Sequence, residues 1–370
     1  MKIVLTYLTA FKGHGGIEKF NKAFIKSITK LVPFKDIAVT AAYDAISEFD
    51  DKYYESGSSI KGYSGSKVSY LLSTLRLAVS ANVLIIGHIN LAIVGVIAKW
   101  FNPNLKIILI AHGIDVWYEL SWLKKKVLTE ANLVLAVSSF TRQKLIAKHG
   151  IPATKIKVFS NTLDPYLHFP ASFQKPGYLL ERYQLTDQQP VILSLCRLSA
   201  KEGYKGYDTI IEALPLVVQE YPDLKYVIVG KYDNEEFNRV NALAAKLGVA
   251  GNVILTGFVP DEELTDHYLI GDLFVMPSRE EGFGIVYIEA MASGLPVIAG
   301  NIDGSVDALD HGKLGTLVDP TNTSEVAGAI KKQLEIKFTF DQKKDLQRRV
   351  IDKFGFDKFT ARLNTVLEEI

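Results

Sequence analysis

Short runs of Val, Ile and Leu alternate with longer amphipathic stretches along this chain. In the first half the runs are IVLTYL from Ile3, IAVT from Ile37, VLIIGH from Val83, IILIAH from Ile107 and LVLAVS from Leu133, with KVF ending at Phe159. Apolar runs this continuous suit strands covered on both faces, as in a parallel sheet. Between them the 3.6-residue period predicts helices over Ile17–Lys30, Lys67–Val79, Leu91–Trp100 and Phe140–Lys148.

A stretch holding Pro165, Pro170, Pro176, Gly177 and Pro190 then breaks the pattern, and its first part reads as an inter-domain linker. The alternation restarts with VILSLC, YVIVG, VILTG, LFVMP and PVIAG, interleaved with helices near Tyr207–Gln219, Glu235–Leu247, Asp261–His267 and Ile285–Ser293. The last segment predicts one more helix, apolar at Phe359, Leu363, Val366 and Leu367. The reading is α/β throughout, with two Rossmann-like domains and a division near residues 165/166.

Composition agrees with two cores, since 370 residues exceed what one core usually organises and 48% of them are hydrophobic. One cysteine, Cys196, excludes an intramolecular disulfide and suits a reducing, cytoplasmic setting. The opening MKIVLTYLTAFKG reads as a buried strand rather than a secretory leader. Val83–Phe101 is long enough to weigh as a membrane span, but His88, Asn90 and Lys99 favour a strand followed by a packed helix. Net charge is +1, which argues against a general nucleic-acid binder. Yet residues 1–165 hold 21 Lys and Arg against 11 Asp and Glu, a net of +10, and the remainder carries −9, so the first half is suited to something anionic.

The densest candidate chemistry is PSREEGFGIVYIEAMASGLPVIA, Pro277–Ala299. A strand runs into a glycine-containing loop and then a helix whose N-terminal amides suit a phosphate or sugar hydroxyls. Glu281 precedes that helix and Glu289 lies eight positions on, within it; by spacing alone these are better read as solvated charges. LSLCRLSAKEGYKGYDTII places Arg197 at a strand end and Lys205 before the next helix. Two fixed cations there can stabilise developing negative charge on a ligand, and on pattern alone they are equally well read as surface cations. IAHGIDVW sets His112, Gly113 and Asp115 at another strand end, where open α/β sheets bind ligands. GHGGIEKF, with Gly13, Gly15 and Gly16, follows the first strand; it is weak evidence for a dinucleotide site, because no acidic residue is evident at the end of the second strand. Aspartates spaced to hold a metal, or histidines with zinc-like spacing, are not found, so no metal is expected.

The Pro277–Ala299 stretch, with Arg197, Lys205 and Gly206, closely resembles the signature of retaining glycosyltransferases of family 4, which have the GT-B fold. The resemblance covers nearly the whole chain and is strongest from Arg197 to Asp319. It implies two Rossmann-like domains facing a central cleft, 1–165 on the acceptor side and 166–354 on the donor side. The C-terminal helix, 355–370, would cross back to complete the first. It also implies that Arg197 and Lys205 grip the diphosphate and that Glu281 meets sugar hydroxyls. Glu289 would hold the ribose diol, and Phe283, Gly284, Ile285 and Val286 would line sugar and diphosphate. Gly230, Lys231 and Val259 would border the base; Gly16 would lie near the phosphates, Glu18 and Asp115 toward the acceptor, and His112 against the donor sugar. Where the family usually has two adjacent glycines, this chain has Asp303 and Gly304, a local departure in the diphosphate region.

The expected activity is retaining, metal-independent hexosyl transfer, without a cofactor, from a nucleotide diphosphate sugar to a glycan or lipid-linked acceptor in polysaccharide or glycolipid synthesis. Family frequency favours a uridine donor with a glucose-like sugar. Alternatives are an epimerase of the same fold and a noncatalytic sugar-nucleotide-binding protein. WYELSWLKKKVL mixes Trp117, Trp122 and Leu123 with Lys124–Lys126, a composition suited to peripheral docking on the inner face of the cell membrane and equally to an ordinary half-buried helix.

Overall fold

The computed structural model describes residues 1–370, except for the side chain of Lys201. The chain forms two compact units, Met1–Pro165 with Phe354–Ile370, and Tyr166–Lys353.

Unit 1 runs β1 (Ile3–Tyr7), α1 (Gly16–Leu31), β2 (Ile37–Ala41), β3 (Ser59–Gly62), α2 (Lys67–Val79), β4 (Val83–Ile86), α3 (Ala92–Phe101), β5 (Lys106–Ala111), the single turn α4 (Ile114–Trp117), α5 (Trp122–Glu130), β6 (Leu133–Ala136), α6 (Ser139–His149) and β7 (Ile156–Val158). The strands form one parallel sheet in the order β3-β2-β1-β4-β5-β6-β7. Every residue of β1, β4 and β6 is buried, which is why these runs carry no polar alternation. On one face Val4, Leu84, Ile86, Ile107 and Leu109 join Tyr70 and Ala78 of α2, Val94 and Ala98 of α3, Val127 of α5 and Leu145 of α6.

Unit 2 runs α7 (Gly177–Arg182), β8 (Val191–Leu195), α8 (Tyr207–Val217), β9 (Lys225–Val229), α9 (Asn234–Lys246), β10 (Val253–Gly257), α10 (Leu264–Ile270), β11 (Leu273–Met276), α11 (Ile285–Ala292), β12 (Val297–Gly300), α12 (Ser305–Ala308), β13 (Thr316–Val318), α13 (Thr323–Glu335) and α14 (Phe340–Phe354). Its sheet is also parallel, in the order β10-β9-β8-β11-β12-β13.

The strands that periodicity overlooks are β3 and β13, one edge of each sheet. β3, Ser-Ile-Lys-Gly, has no buried residue, and β13 has three residues in all, so neither offers an apolar run. Helix α14 is also missed, because its charged sequence buries only a narrow stripe at Leu346, Gln347, Val350 and Phe354. Val83–Phe101 divides into β4, a turn and α3, and among the described residues no helix is long and apolar enough to cross a membrane. Trp117 sits in the core, its Nε1 donating to Thr141 Oγ1 at 3.2 Å, so it cannot belong to an outward-facing surface around α5.

Helix α15 (Phe356–Glu368) packs on α1 within unit 1. Phe359 meets Phe20, Phe24 and Phe159 with ring centroids 5.7, 6.2 and 4.8 Å apart, mostly edge to face. Arg362 lies 5.3 Å above the Phe159 ring and donates to the Ser160 carbonyl at 3.0 Å. We predict that Phe359→Ala destabilises unit 1 by about 3–5 kcal/mol, read as a lowered denaturant midpoint. An unchanged midpoint would show that α15 is not part of that core.

Candidate active site

In an open parallel sheet, ligands gather where two adjacent strands send their crossovers in opposite directions. In unit 2 that place is between β8 and β11, since β8 leads to β9 on one side and β11 to β12 on the other. The residues that follow these two strands are Arg197 and Lys205 after β8, and Glu281 after β11. Two loops meet there: Arg279 N–H donates to the Tyr204 carbonyl at 2.9 Å. Gly206, with φ +84°, lies so close to the Pro277 carbonyl that a Cβ would overlap it, which explains the glycine beside Lys205.

Lys205 Nζ donates to Glu281 Oε2 at 2.5 Å, with each side chain 17% exposed. Burial works against the ammonium, but the carboxylate beside it prevails and holds Lys205 above the ordinary lysine range, so it stays cationic. Arg197 is more open and is engaged by Glu202, its Nε donating to Oε1 at 2.8 Å. Glu202 gave no signal in the sequence, being one more charge in a polar loop. Neighbouring Cys196 is buried and its thiol is pushed up to about 12, which removes it as a nucleophile.

Asp303 is the second residue that sequence inspection left without a role. Buried at 1% exposure, its carboxylate accepts from the N–H of Glu281 at 2.7 Å and of Ser305 at 2.9 Å. Gly304 N–H donates in turn to the Glu281 carbonyl at 2.8 Å. Asp303 therefore fastens the backbone of Glu281 from the β12 side. Burial raises it to about 6, partly opposed by those hydrogen bonds.

Gly284 caps α11 under the Tyr287 ring; Phe283 and Ile285 are buried and Val286 half-buried. Glu289 is fully buried within α11, one oxygen accepting from Tyr268 Oη at 2.9 Å. Gly230 and Lys231 leave β9 and Val259 leaves β10; these ends are joined by Gly230 N–H donating to Gly257 O at 3.1 Å. Among the described residues no group of three or more His, Cys, Asp and Glu is placed to hold a metal.

Unit 1 has its own switch point between β1 and β4. The glycine loop after β1 closes around Glu18: Thr9 Oγ1 donates to Glu18 Oε1 at 2.6 Å, and a Cβ on Gly13 or Gly15 would meet the Glu18 carboxyl group at 3.1 or 2.6 Å. An acidic residue does follow β2, contrary to the sequence reading. Asp44 accepts from the N–H of Ala10, Phe11 and Lys12 at 2.8, 3.1 and 3.2 Å, so it is occupied in shaping the loop. Two intervening residues after the strand, Ala42 and Tyr43, hid it from inspection. Gly16 opens α1 and is exposed.

His112 follows β5, its Nε2 2.8 Å from the Gly87 carbonyl. A carbonyl only accepts, so Nε2 carries the proton and Nδ1 remains an acceptor. Burial lowers His112 to about 4, although Gly87 and Glu18 favour its charge, and the imidazole is neutral at physiological pH. His88, after β4, was weighed in the sequence only against a membrane span and given no place in the site; its ring stacks on His112 with centroids 6.1 Å apart and is lowered to about 3 by burial and by His112.

Gly113, at φ +134°, turns the chain into α4, a conformation open to glycine. The turn leaves both Asp115 oxygens buried without a well-formed hydrogen bond, and burial raises that carboxyl to about 7 despite nearby amides. A carboxyl whose folded pKa is raised contributes stability at low pH that is lost as pH rises toward the folded value. Asp115→Asn should therefore melt above wild type at pH 8, by on the order of 1 kcal/mol or more, with the gap narrowing toward pH 5. A pH-independent difference in Tm between the two proteins would refute the assignment.

Residues 180–352 match the family described as Glycosyl transferases group 1, and residues 58–166 that described as Glycosyltransferase Family 4. A GDP-mannose-dependent alpha-(1-6)-phosphatidylinositol monomannoside mannosyltransferase from Mycolicibacterium smegmatis is 30% identical over 338 residues, 85% of each chain. Anabaena HepE, solved with UDP-glucose, superposes with a TM-score of 0.81 at 20% identity over the whole of both chains. The sucrose-phosphate synthase of Thermosynechococcus elongatus gives 0.75 at 17% identity over 100% of this chain and 99% of that one. These two structural likenesses bear on the fold, and the sequence match bears on the chemistry. The chain thus belongs to the group 1 glycosyltransferases, family 4-like and of GT-B fold, enzymes that use a nucleotide-sugar donor.

Proposed function

We propose that this protein transfers a hexose with retention from a nucleotide diphosphate donor to a glycan or lipid-linked acceptor, at the inner face of the cell membrane and without a metal or cofactor. The observation that carries the proposal is the Lys205–Glu281 pair at the β8/β11 switch point, beside the N-terminus of α11. A diphosphate arriving there competes for the Lys205 ammonium and for Arg197, releasing Glu281 and Glu202 from their cations. Glu281, held by Asp303, then accepts hydrogen bonds from sugar hydroxyls, while the α11 amides and dipole face the phosphates. Glu289 takes the ribose diol in exchange for its Tyr268 bond. Gly230, Lys231 and Val259 border the base, and Phe283 to Val286 line the sugar and diphosphate.

In the chemical step the bond from sugar C1 to the phosphate oxygen breaks, its electron pair leaving with the diphosphate. The acceptor oxygen bonds C1 on the same face, and its proton passes to a phosphate oxygen. Lys205 and Arg197 supply the fixed positive charge that the leaving group needs. In unit 1, neutral His112 offers a sugar substrate a hydrogen-bonding wall, with Gly16, Glu18 and Asp115 at the same end of that sheet.

Donor identity has two supported readings. HepE and its UDP-glucose complex, at low identity, favour uridine with a glucose-like sugar. The 30% identical mannosyltransferase, named for GDP-mannose, favours guanosine with mannose. A thermal-shift panel of uridine, guanosine and adenosine diphosphate sugars separates them.

Lys205→Ala and Glu281→Ala should each lower kcat/KM about a hundredfold, and a chelator should leave the wild-type rate unchanged. Normal turnover and donor affinity in both variants would refute the proposal, as would an absolute need for magnesium. Since Asp303 fixes Glu281 as a carboxylate, donor affinity should weaken on acidification through about pH 6. Asp303→Ala should bind donor weakly at every pH between 5 and 8; a variant that keeps the wild-type profile would remove Asp303 from the site.

A further inference from the structure

Three neighbouring helices of unit 1 turn toward solvent a surface that the fold does not require. Because α2, α3 and α5 bury their inner sides in one cluster over the same face of the sheet, their outer sides share a direction. On α2 the exposed residues Val68, Leu72, Arg76 and Val79 fall at helical spacing. On α3 they include Ile93, with Trp100 81% and Phe101 65% exposed, and Trp122, 70% exposed, opens α5. Large apolar groups standing in water on adjacent helices mark a contact surface.

Charge narrows the choice of partner. From Ser56 to Ile114 the chain runs 59 residues without one Asp or Glu, and the exposed charges on α2 itself are Lys67 and Arg76, whereas Lys99 donates to the Leu105 carbonyl at 2.6 Å and Lys106 to the carbonyl of Ile370. A second copy of the chain laid on this face would set bases against bases. An anionic bilayer answers both features: indole and phenyl rings settle at the headgroup boundary, and lysine and arginine reach lipid phosphates. The expected WYELSWLKKKVL surface is different, for Trp117 is in the core, Lys125 pairs with Glu119 at 3.0 Å and Lys126 with Glu130 at 3.5 Å.

We propose that the outer face of α2 and α3, with Trp122, docks unit 1 peripherally on an anionic lipid bilayer. The surface stands on its own observations, and its use in presenting a lipid-linked acceptor rests on the function proposed above. The test is co-sedimentation of the full chain with vesicles of phosphatidylcholine, with and without about an equal part of phosphatidylglycerol. Wild type should bind only the anionic vesicles, with a blue shift of tryptophan emission, and release in about 1 M salt, where the Debye length is about 3 Å. Trp100→Ser with Phe101→Ser, and separately Lys67→Glu with Arg76→Glu, should each weaken binding at least about tenfold. Lys332→Glu with Lys337→Glu, the same charge change in unit 2, should not. Melting curves and donor binding verify that the variants fold. Absent wild-type binding, equal binding by the face variants, or a solution dimer that Trp100→Ser with Phe101→Ser dissociates would each overturn the proposal. Vesicle binding without donor binding would instead sink the enzymatic reading and leave the docking face standing.

Discussion

A parallel sheet whose crossovers depart in opposite directions from two adjacent strands cannot cover the carboxyl ends of those strands, and the candidate site of unit 2 is built in that gap. It lies between β8 and β11, and the chain fills it with loops rather than helices. The loops are brought together by a backbone hydrogen bond from Arg279 to Tyr204 and by the absence of a side chain at Gly206. Within that frame a lysine and a glutamate, 76 positions apart in sequence, come to share a hydrogen bond. The carboxylate keeps the lysine cationic in a place where burial works against an ammonium.

The same constraint acts in unit 1 with a different result. Its switch point, between β1 and β4, is furnished with neutral histidines and engaged carboxylates. Glu18 is wrapped by the glycine loop, Asp44 holds that loop by three amides, and His112 is fixed by the Gly87 carbonyl. Phe20 touches His112 at 5.2 Å on one side and Phe359 at 5.7 Å on the other. The C-terminal helix α15 thereby reaches the wall of the unit 1 site through a single aromatic ring. One sheet end is equipped for charge and the other for shape and neutral hydrogen bonding.

Much of this was legible along the chain because buried parallel strands and glycine turns are local signals. The central strands of both sheets, the helices α1, α2, α8 and α11, and the strand-end positions of Arg197, Lys205, Glu281 and His112 could be read from runs and turns. Strands β3 and β13 were not, since β3 buries no residue and β13 has only three residues, whereas the other two edges, β7 and β10, carry apolar runs that could be read. Asp44, Glu202 and Asp303 were not, because an acidic residue in a polar loop looks alike whether it is solvated or accepts from buried amides. Glu289 was legible as a residue but not in its full enclosure against Tyr268.

By itself the sequence determined the class of fold, the alternation of strand and helix, and which strand ends carry charge, since each is written in residues close together along the chain. Only the tertiary structure decided which charges neutralise which, that Asp44 shapes a glycine loop and Asp303 steadies Glu281, and that Trp117 lies inside while Trp100 and Trp122 face water. Those outcomes depend on contacts between residues tens of positions apart and on which side of a helix the sheet covers, and both are fixed only when the strands take their order.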